Sequence, residues 1–199
     1  MIIVTGVGRS GTSLMITYLK ALGLKVNFGN WYKKFCAGNE DPNSVFVNSA
    51  LIRSRNIGFD LGKKQIKFLM KKISKMKQDA IKDPLFVADT KLINFWSKCR
   101  DDLHVIYMRR NPKEIVKSQK RAMDMNTPAY RCFSDLIIRK EKSFFRTVKL
   151  LKIPIQIIDF ENIKLRIVIQ TVINFHKGFK QPDNYINLWR SLYAPSIKL

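Results

Sequence analysis

The stretch Ile2–Ser13, IIVTGVGRSGTS, decides the fold. Its first four residues are all β-branched, which is typical of a short buried strand, and they run directly into glycines at positions 6, 8 and 11. Apolar residues at helical spacing then predict a helix over Thr12–Leu22, which ends at Gly23. In a strand–glycine turn–helix unit the backbone N–H groups turn inward, and together with the partial positive charge of the helix start they bind phosphate or sulfate. The sequence therefore predicts an anion site after its first strand.

Further strands and helices alternate along the rest of the chain. Strands are predicted at Leu103–Met108 and Ile155–Asp159, and Leu24–Phe28 is a weaker candidate. Leu85–Ala88 fits a strand or a helix start, and Gly29–Asn43 has the composition of a loop. Helical spacing of apolar residues, with proline at one helix start, predicts Val45–Arg55, Lys63–Ile81, Pro112–Ala122, Ser134–Leu151 and Asn162–Phe175.

This alternation predicts an α/β fold with a parallel β-sheet flanked by helices, in three layers, forming a single domain over residues 1–199. Ligands of such sheets bind at the carboxyl ends of the strands. The residues of interest are therefore those that follow Thr5, Ala88, Met108 and Ile158.

Composition excludes several classes of protein. With 46% hydrophobic and 26% charged residues the chain is globular, and no apolar run is long enough to span a membrane. The start of the sequence lacks the features of a signal peptide, and the three cysteines form no CxxC pair, so we expect a cytoplasmic protein without a disulfide framework or zinc knuckle. The net charge of +22 favours anionic ligands or surfaces, although a solvated basic surface is an equal explanation.

The phosphate-type loop has one notable departure. Gly6–Ser13 nearly fits the pattern GxxxxGK[ST], but Thr12 stands where nucleoside triphosphate-binding loops carry lysine. Arg9 is the loop's cation instead. Such a loop suits a terminal anionic group better than a triphosphate with magnesium.

Gly6–Met15, GVGRSGTSLM, resembles the 5′-phosphosulfate loop of the sulfotransferases that use 3′-phosphoadenosine 5′-phosphosulfate (PAPS), in the style of the tyrosylprotein and bacterial families. The resemblance implies a sulfotransferase-like fold of the P-loop-containing class and PAPS as the donor, with PAP as the product and no required metal. It implies that the 5′-phosphosulfate contacts Gly8, Arg9, Ser10, Gly11, Thr12 and Ser13.

A second motif follows the strand Leu103–Met108. Arg110 at the strand end and Ser118 eight residues on resemble the family's 3′-phosphate motif. Phosphate binding by this pair does not depend on the resemblance, because an arginine fork and a helix serine can hold a phosphate jointly. An ordinary basic helix face is the alternative for this segment.

The third element is Ile81-Lys82-Asp83-Pro84, which resembles the lysine segment that stabilises the leaving phosphate in related sulfotransferases. The resemblance gives Lys82 that role, while Asp89-Thr90-Lys91 is a rival placement. Ile155–Asn162 resembles the family's late strand. The family's carboxyl-terminal segment that binds the 3′-phosphate has no close match, and His176–Lys180 resembles it only weakly.

Sulfuryl transfer needs an anion cradle, a cation for the leaving phosphate and a base for the acceptor. We assign the catalytic roles to Arg9, Lys82 and Asp83, and prefer Asp83 slightly over Glu40 as the base. Asp41 is a further carboxylate near a possible lid. His104 opens a strand and so falls at the wrong end of the sheet, and His176 is more simply structural.

The sequence thus favours a PAPS-dependent sulfotransferase that acts on a hydroxyl or amine of a small-molecule, glycan or peptide acceptor. The basic net charge would suit an acidic acceptor, and no specific nucleic acid is expected as a partner. One alternative is a P-loop kinase or other NTPase, in which Leu85–Asp89 is a strand ending in a magnesium-binding aspartate. Another is a non-catalytic polyanion binder. The lysine-rich face of Lys63–Ile81 is more simply a solvated face than a site for an acidic glycan or a membrane surface.

Overall fold

The first strand lies inside a parallel sheet. In a computed structural model, β1 (Ile2–Thr5) pairs on one side with β2 (Ala80–Lys82) and on the other with β3 (His104–Arg109). The outer edge of β3 pairs with β4 (Ile155–Asp159), and every pair is parallel, in the order β2-β1-β3-β4. The structure describes residues 1–8, 10–27, 41–56, 61–122, 134–176 and 179.

Helices cover both faces of this sheet, because alternate side chains of a strand point to opposite faces. Ile2 and Val4 pack with α1 (Thr12–Ala21) and α8 (Leu165–Phe175) in one apolar cluster. Ile3 packs in a second cluster on the other face with residues of the remaining helices. Within the described residues these are α2 (Pro42–Asn56), α3 (Lys63–Ser74), α4 (Leu85–Ala88), α5 (Thr90–Ser97), α6 (Pro112–Ala122) and α7 (Ser134–Leu150). The predicted three-layer α/β fold is confirmed.

The prediction of one helix over Lys63–Ile81 is wrong in its last part. α3 ends at Ser74, and Ala80–Lys82 forms β2, with Ile81 opposite Ile3 of β1. Ile81 falls on the helical apolar stripe by spacing alone, and a buried strand of three residues has no periodicity of its own. The strand end next to β1 is therefore Lys82, and not Ala88.

The segment that supported the kinase alternative is helical. Leu85–Ala88 forms α4, and Asp89 is the N-cap of α5, where its Oδ1 accepts a hydrogen bond from the Lys91 amide at 3.0 Å. The other carboxylate oxygen of Asp89 lies 2.6 Å from the Arg55 guanidinium. The prediction of a strand ending in a magnesium-binding aspartate is therefore wrong.

Smaller differences concern the second segment. In place of the predicted strand over Leu24–Phe28, the described residues 24–27 make a single parallel bridge, between Val26 and Ala80. Most of the predicted loop Gly29–Asn43 lies outside the described residues, and its last two residues begin α2. In the part of the chain that the structure covers, no helix combines the length and apolar character needed to cross a bilayer.

Candidate functional site

The glycine loop forms a tight cradle at the carboxyl end of β1. A Cβ at Gly6 would overlap Ser10 Oγ and the carbonyl oxygen of Met108, so this position has room only for glycine. Inside the loop the Ser10 amide donates to the Val7 carbonyl at 2.9 Å. The loop therefore turns directly over the sheet edge and into α1.

Gly11 is the N-cap of α1 and has a left-handed backbone, with φ of 99°. It offers no side-chain cap to the helix, and the first turn of α1 has no acidic residue. The Phe160 ring lies against Gly11, where a Cβ would overlap it. The start of α1 thus keeps the partial positive charge that binds anions.

Ser10 has a buried hydroxyl group within this loop. The residue is 0% exposed, and among the described residues its hydroxyl oxygen has no hydrogen-bond partner. Leaving a buried hydroxyl unsatisfied costs about 1–3 kcal/mol. Thr12 is also buried, and Arg9 lies outside the described residues.

Lys82 supplies the cation that the loop lacks at position 12. It ends β2, is 3% exposed, and its Nζ donates to Ser13 Oγ at 2.8 Å. The rival Lys91 is exposed on α5. The structure therefore brings Lys82 to the loop from the neighbouring strand.

Asp83, which we predicted as the base, anchors helices. Its buried carboxylate accepts hydrogen bonds from Ser44 Oγ at 2.8 Å, Asn48 Nδ2 at 2.9 Å and the Leu85 amide at 2.9 Å. Asn48 Oδ1 in turn accepts from Trp96 Nε1 at 2.8 Å. This network fixes α2, α4 and α5 to the end of β2. Asp83 therefore has the geometry of a residue that positions its neighbour Lys82.

Asp41 is a second buried carboxyl group beside Lys82. Its amide donates to the Lys82 carbonyl at 3.3 Å, and its Oδ1 caps α2 by accepting from the amides of Asn43 at 2.9 Å and Ser44 at 3.0 Å. The Oδ2 atom is buried and has no hydrogen-bond partner among the described residues. Burial raises the pKa of Asp41 above its usual value. Glu40 lies outside the described residues.

The second motif lies at the end of β3. The Arg110 guanidinium stacks over the Phe160 ring at 4.5 Å from its centroid, and Arg110 Nε lies 3.5 Å from Glu161 Oε1. Phe160 thus contacts both Gly11 and Arg110 and connects the two motifs. Ser118 is partly exposed two turns into α6. The sequence analysis gave Phe160 no role, because its position after a strand was the only signal it offered.

Arg109, the neighbour of Arg110, has a different role. Its Nε lies 2.6 Å from Asp159 Oδ1, and this ion pair joins the ends of β3 and β4. The guanidinium holds the pKa of Asp159 below its usual value. The two adjacent arginines therefore differ in their contacts. Arg109 joins two strands, whereas Arg110 stacks on Phe160, which also contacts the glycine loop.

The histidines lie at the opposite end of the sheet, as predicted for His104. The His104 ring packs on Phe175 with centroids 4.7 Å apart, and His176 Nε2 lies 3.1 Å from Asp79 Oδ1. Within the described ranges no three His, Cys, Asp or Glu side chains are grouped to hold a metal ion.

The sequence matches no protein-family model and no curated protein. Among solved structures, the chain is similar to the sulfotransferase domain from the curacin biosynthetic pathway, with a TM-score of 0.55 and 13% identity over 94% of this chain and 77% of that one. The chain therefore has a fold similar to that of this sulfotransferase domain.

Weaker similarities extend to two kinds of protein. The sulfotransferase domain from the Synechococcus PCC 7002 olefin synthase matches with a TM-score of 0.47 and 13% identity, covering 100% of this chain and 88% of that one. A deoxyadenosine kinase from M. mycoides with bound dCTP matches with a TM-score of 0.44 and 16% identity, covering 87% and 97%.

The contact between Gly11 and Phe160 can be tested with a matched glycine. Gly11 and Gly23 both have left-handed backbones, but a Cβ added at Gly23 would meet no atom within 4 Å. We expect Gly23→Ala to lower the free energy of unfolding by about 1 kcal/mol and Gly11→Ala by about 3 kcal/mol, since only the second also displaces a ring. Urea unfolding measures both, and equal losses would contradict the contact.

Proposed function

We propose that this protein is a sulfotransferase that uses PAPS as its donor and a hydroxyl or amine as its acceptor. The observation that carries the proposal is the hydrogen bond from Lys82 Nζ to Ser13 Oγ at the start of α1. It places a buried cation at a phosphate-type loop that lacks its own lysine. The sulfotransferase-like fold supports the proposal.

The donor site has two parts. We assign the 5′-phosphosulfate to the loop amides with Gly8, Ser10, Thr12 and Ser13. The uncapped start of α1 favours a tetrahedral anion, and the buried Ser10 hydroxyl lacks a hydrogen-bond partner. We place Arg9 with them, from the sequence. Arg110 and Ser118 are our candidates for the 3′-phosphate.

When bound, PAPS would supply the activated sulfuryl group. Lys82 would then hold positive charge beside the leaving phosphate, in a buried position where a charge–charge interaction is strong. The hydrogen bond to Ser13 and the Asp83 network keep this lysine in place, so little reorganisation is needed during transfer.

Asp41 is our candidate for the general base, in place of Asp83. The Asp83 carboxylate already accepts three hydrogen bonds from the protein, whereas Asp41 keeps its buried Oδ2 beside the end of β2. The raised pKa of Asp41 moves it toward the range that suits a base. The acceptor is a small molecule, glycan or peptide.

Binding of PAP tests the donor site. We expect one-to-one binding of PAP by calorimetry, with ATP–Mg²⁺ much weaker. Lys82→Met and Arg110→Ala should each weaken PAP binding by about tenfold or more, since each removes a charged hydrogen-bond donor. Lys91→Met is the matched control, because it removes an exposed lysine of the rival tripeptide.

Three results would contradict this assignment. ATP–Mg²⁺ binding without PAP binding would favour a kinase. Binding of neither nucleotide, together with binding of polyanions, would favour a non-catalytic role. A loss of affinity in Lys91→Met as large as in Lys82→Met would mean that Lys82 has no special position.

Two aspartate variants separate the base from the anchor. Asp41→Asn keeps a helix-capping side chain and should preserve the fold and PAP binding while abolishing transfer of radiolabelled sulfuryl. Asp83→Ala should lower the free energy of unfolding by about 3 kcal/mol, because it leaves buried Ser44 and Asn48 without their acceptor. Transfer at the wild-type rate by Asp41→Asn would disprove its role.

A further inference from the structure

The adjacent helices α2 and α3 carry no acidic residue. Over the same span α3 and its end are dense in lysine, and all but Lys72 of these lysines are exposed. Within the described residues none of them makes a salt bridge, and the charge of Lys72 acts on the carboxyl group of Asp41. These lysines are Lys63, Lys64, Lys67, Lys71, Lys72, Lys75 and Lys77.

Two exposed aromatic rings stand among these lysines. Phe46 of α2 is 51% exposed and Phe68 of α3 is 57% exposed. Lys72 Nζ lies 5.3 Å from the centroid of the Phe46 ring, and Phe68 precedes Lys72 by one helical turn. The two rings therefore flank one lysine on a single surface, which we call the α2–α3 surface.

These rings are not part of the protein core. α3 already buries Leu69 and Ile73 in the apolar cluster that contains Ile3, and Val47 of α2 packs in the same cluster. Phe46 and Phe68 lie to the side of that apolar stripe, where a polar residue would suit water better. The surface combines exposed lysines with exposed apolar rings.

We propose that the α2–α3 surface docks on a membrane containing anionic phospholipids. Lysines would lie at the headgroups, and the rings of Phe46 and Phe68 would enter the boundary between headgroups and acyl chains. The lysines favour a negatively charged surface by charge complementarity, and the exposed rings favour a surface with an apolar interior beneath it. Phe46, Phe68 and Lys72 are not among the residues that we assign to the donor site.

Lipid fits the surface better than nucleic acid. The cations on α3 are all lysines, which act as point charges. The arginine forks that read phosphates or base edges are confined to the last turn of α2, where Arg55 is paired with Asp89. Phe46 and Phe68 also present no hydrogen-bonding group. A nucleic acid remains an outcome that the experiment distinguishes.

Vesicle flotation tests the proposal with the full chain. We expect binding to phosphatidylcholine vesicles that contain phosphatidylserine, and little binding to vesicles of phosphatidylcholine alone. Phe46→Ser/Phe68→Ser and Lys71→Gln/Lys75→Gln should each reduce partitioning by about tenfold or more. Lys142→Gln/Lys149→Gln removes two exposed lysines from α7 and is the matched control, with less than about a twofold effect expected.

Each opposite result would overturn the proposal. Equal loss in the α7 control would mean that net charge alone drives binding, and equal binding to neutral vesicles would remove the role of the lysines. Absence of vesicle binding would refute docking. Binding of a single-stranded oligonucleotide that is stronger than vesicle binding and is lost in the phenylalanine variant would identify a nucleic-acid surface. PAP binding should be unchanged in all these variants.

Discussion

The hydrogen bond from Lys82 Nζ to Ser13 Oγ joins the end of β2 to the start of α1 at 2.8 Å. A buried ammonium group is expensive to remove from water, so it requires partners and, at an anion site, favours the ligand. In the proposed site the glycine loop would hold an anion by its amides, but it carries no lysine at position 12. The neighbouring strand supplies the charge, and this makes the pairing of β2 with β1 a condition of the site.

The rest of the site follows from holding that strand end in place. Asp83 connects it to α2, α4 and α5 through buried hydrogen bonds, and Asp41 caps α2 while its amide contacts the Lys82 carbonyl. On the other side of the loop, Phe160 lies between Gly11 and Arg110. Each connection is short and buried or ring-stacked, so the geometry is largely preorganised before any ligand binds.

The sequence predicted the parts with strong local patterns. β1, β4 and α6 have the predicted bounds, because an all-β-branched run or a proline-led helix is decided locally. For β2 the pattern indicates a helix, since three residues have no period and Ile81 fits the stripe of α3. Lys82 could be singled out by resemblance, but its contact with Ser13 depends on sheet order. Phe160 and the buried Oδ2 of Asp41 depend on packing between distant segments, which no local pattern encodes.

A crystal structure of the protein with PAP tests the central claim most directly. The account predicts the 5′-phosphate in the loop, with hydrogen bonds from Ser10 Oγ and the amides at the start of α1, and Lys82 Nζ beside that phosphate. It also predicts the 3′-phosphate near Arg110 and Ser118. A nucleotide bound in the reverse orientation, or PAP bound away from the loop and from Lys82, would contradict it.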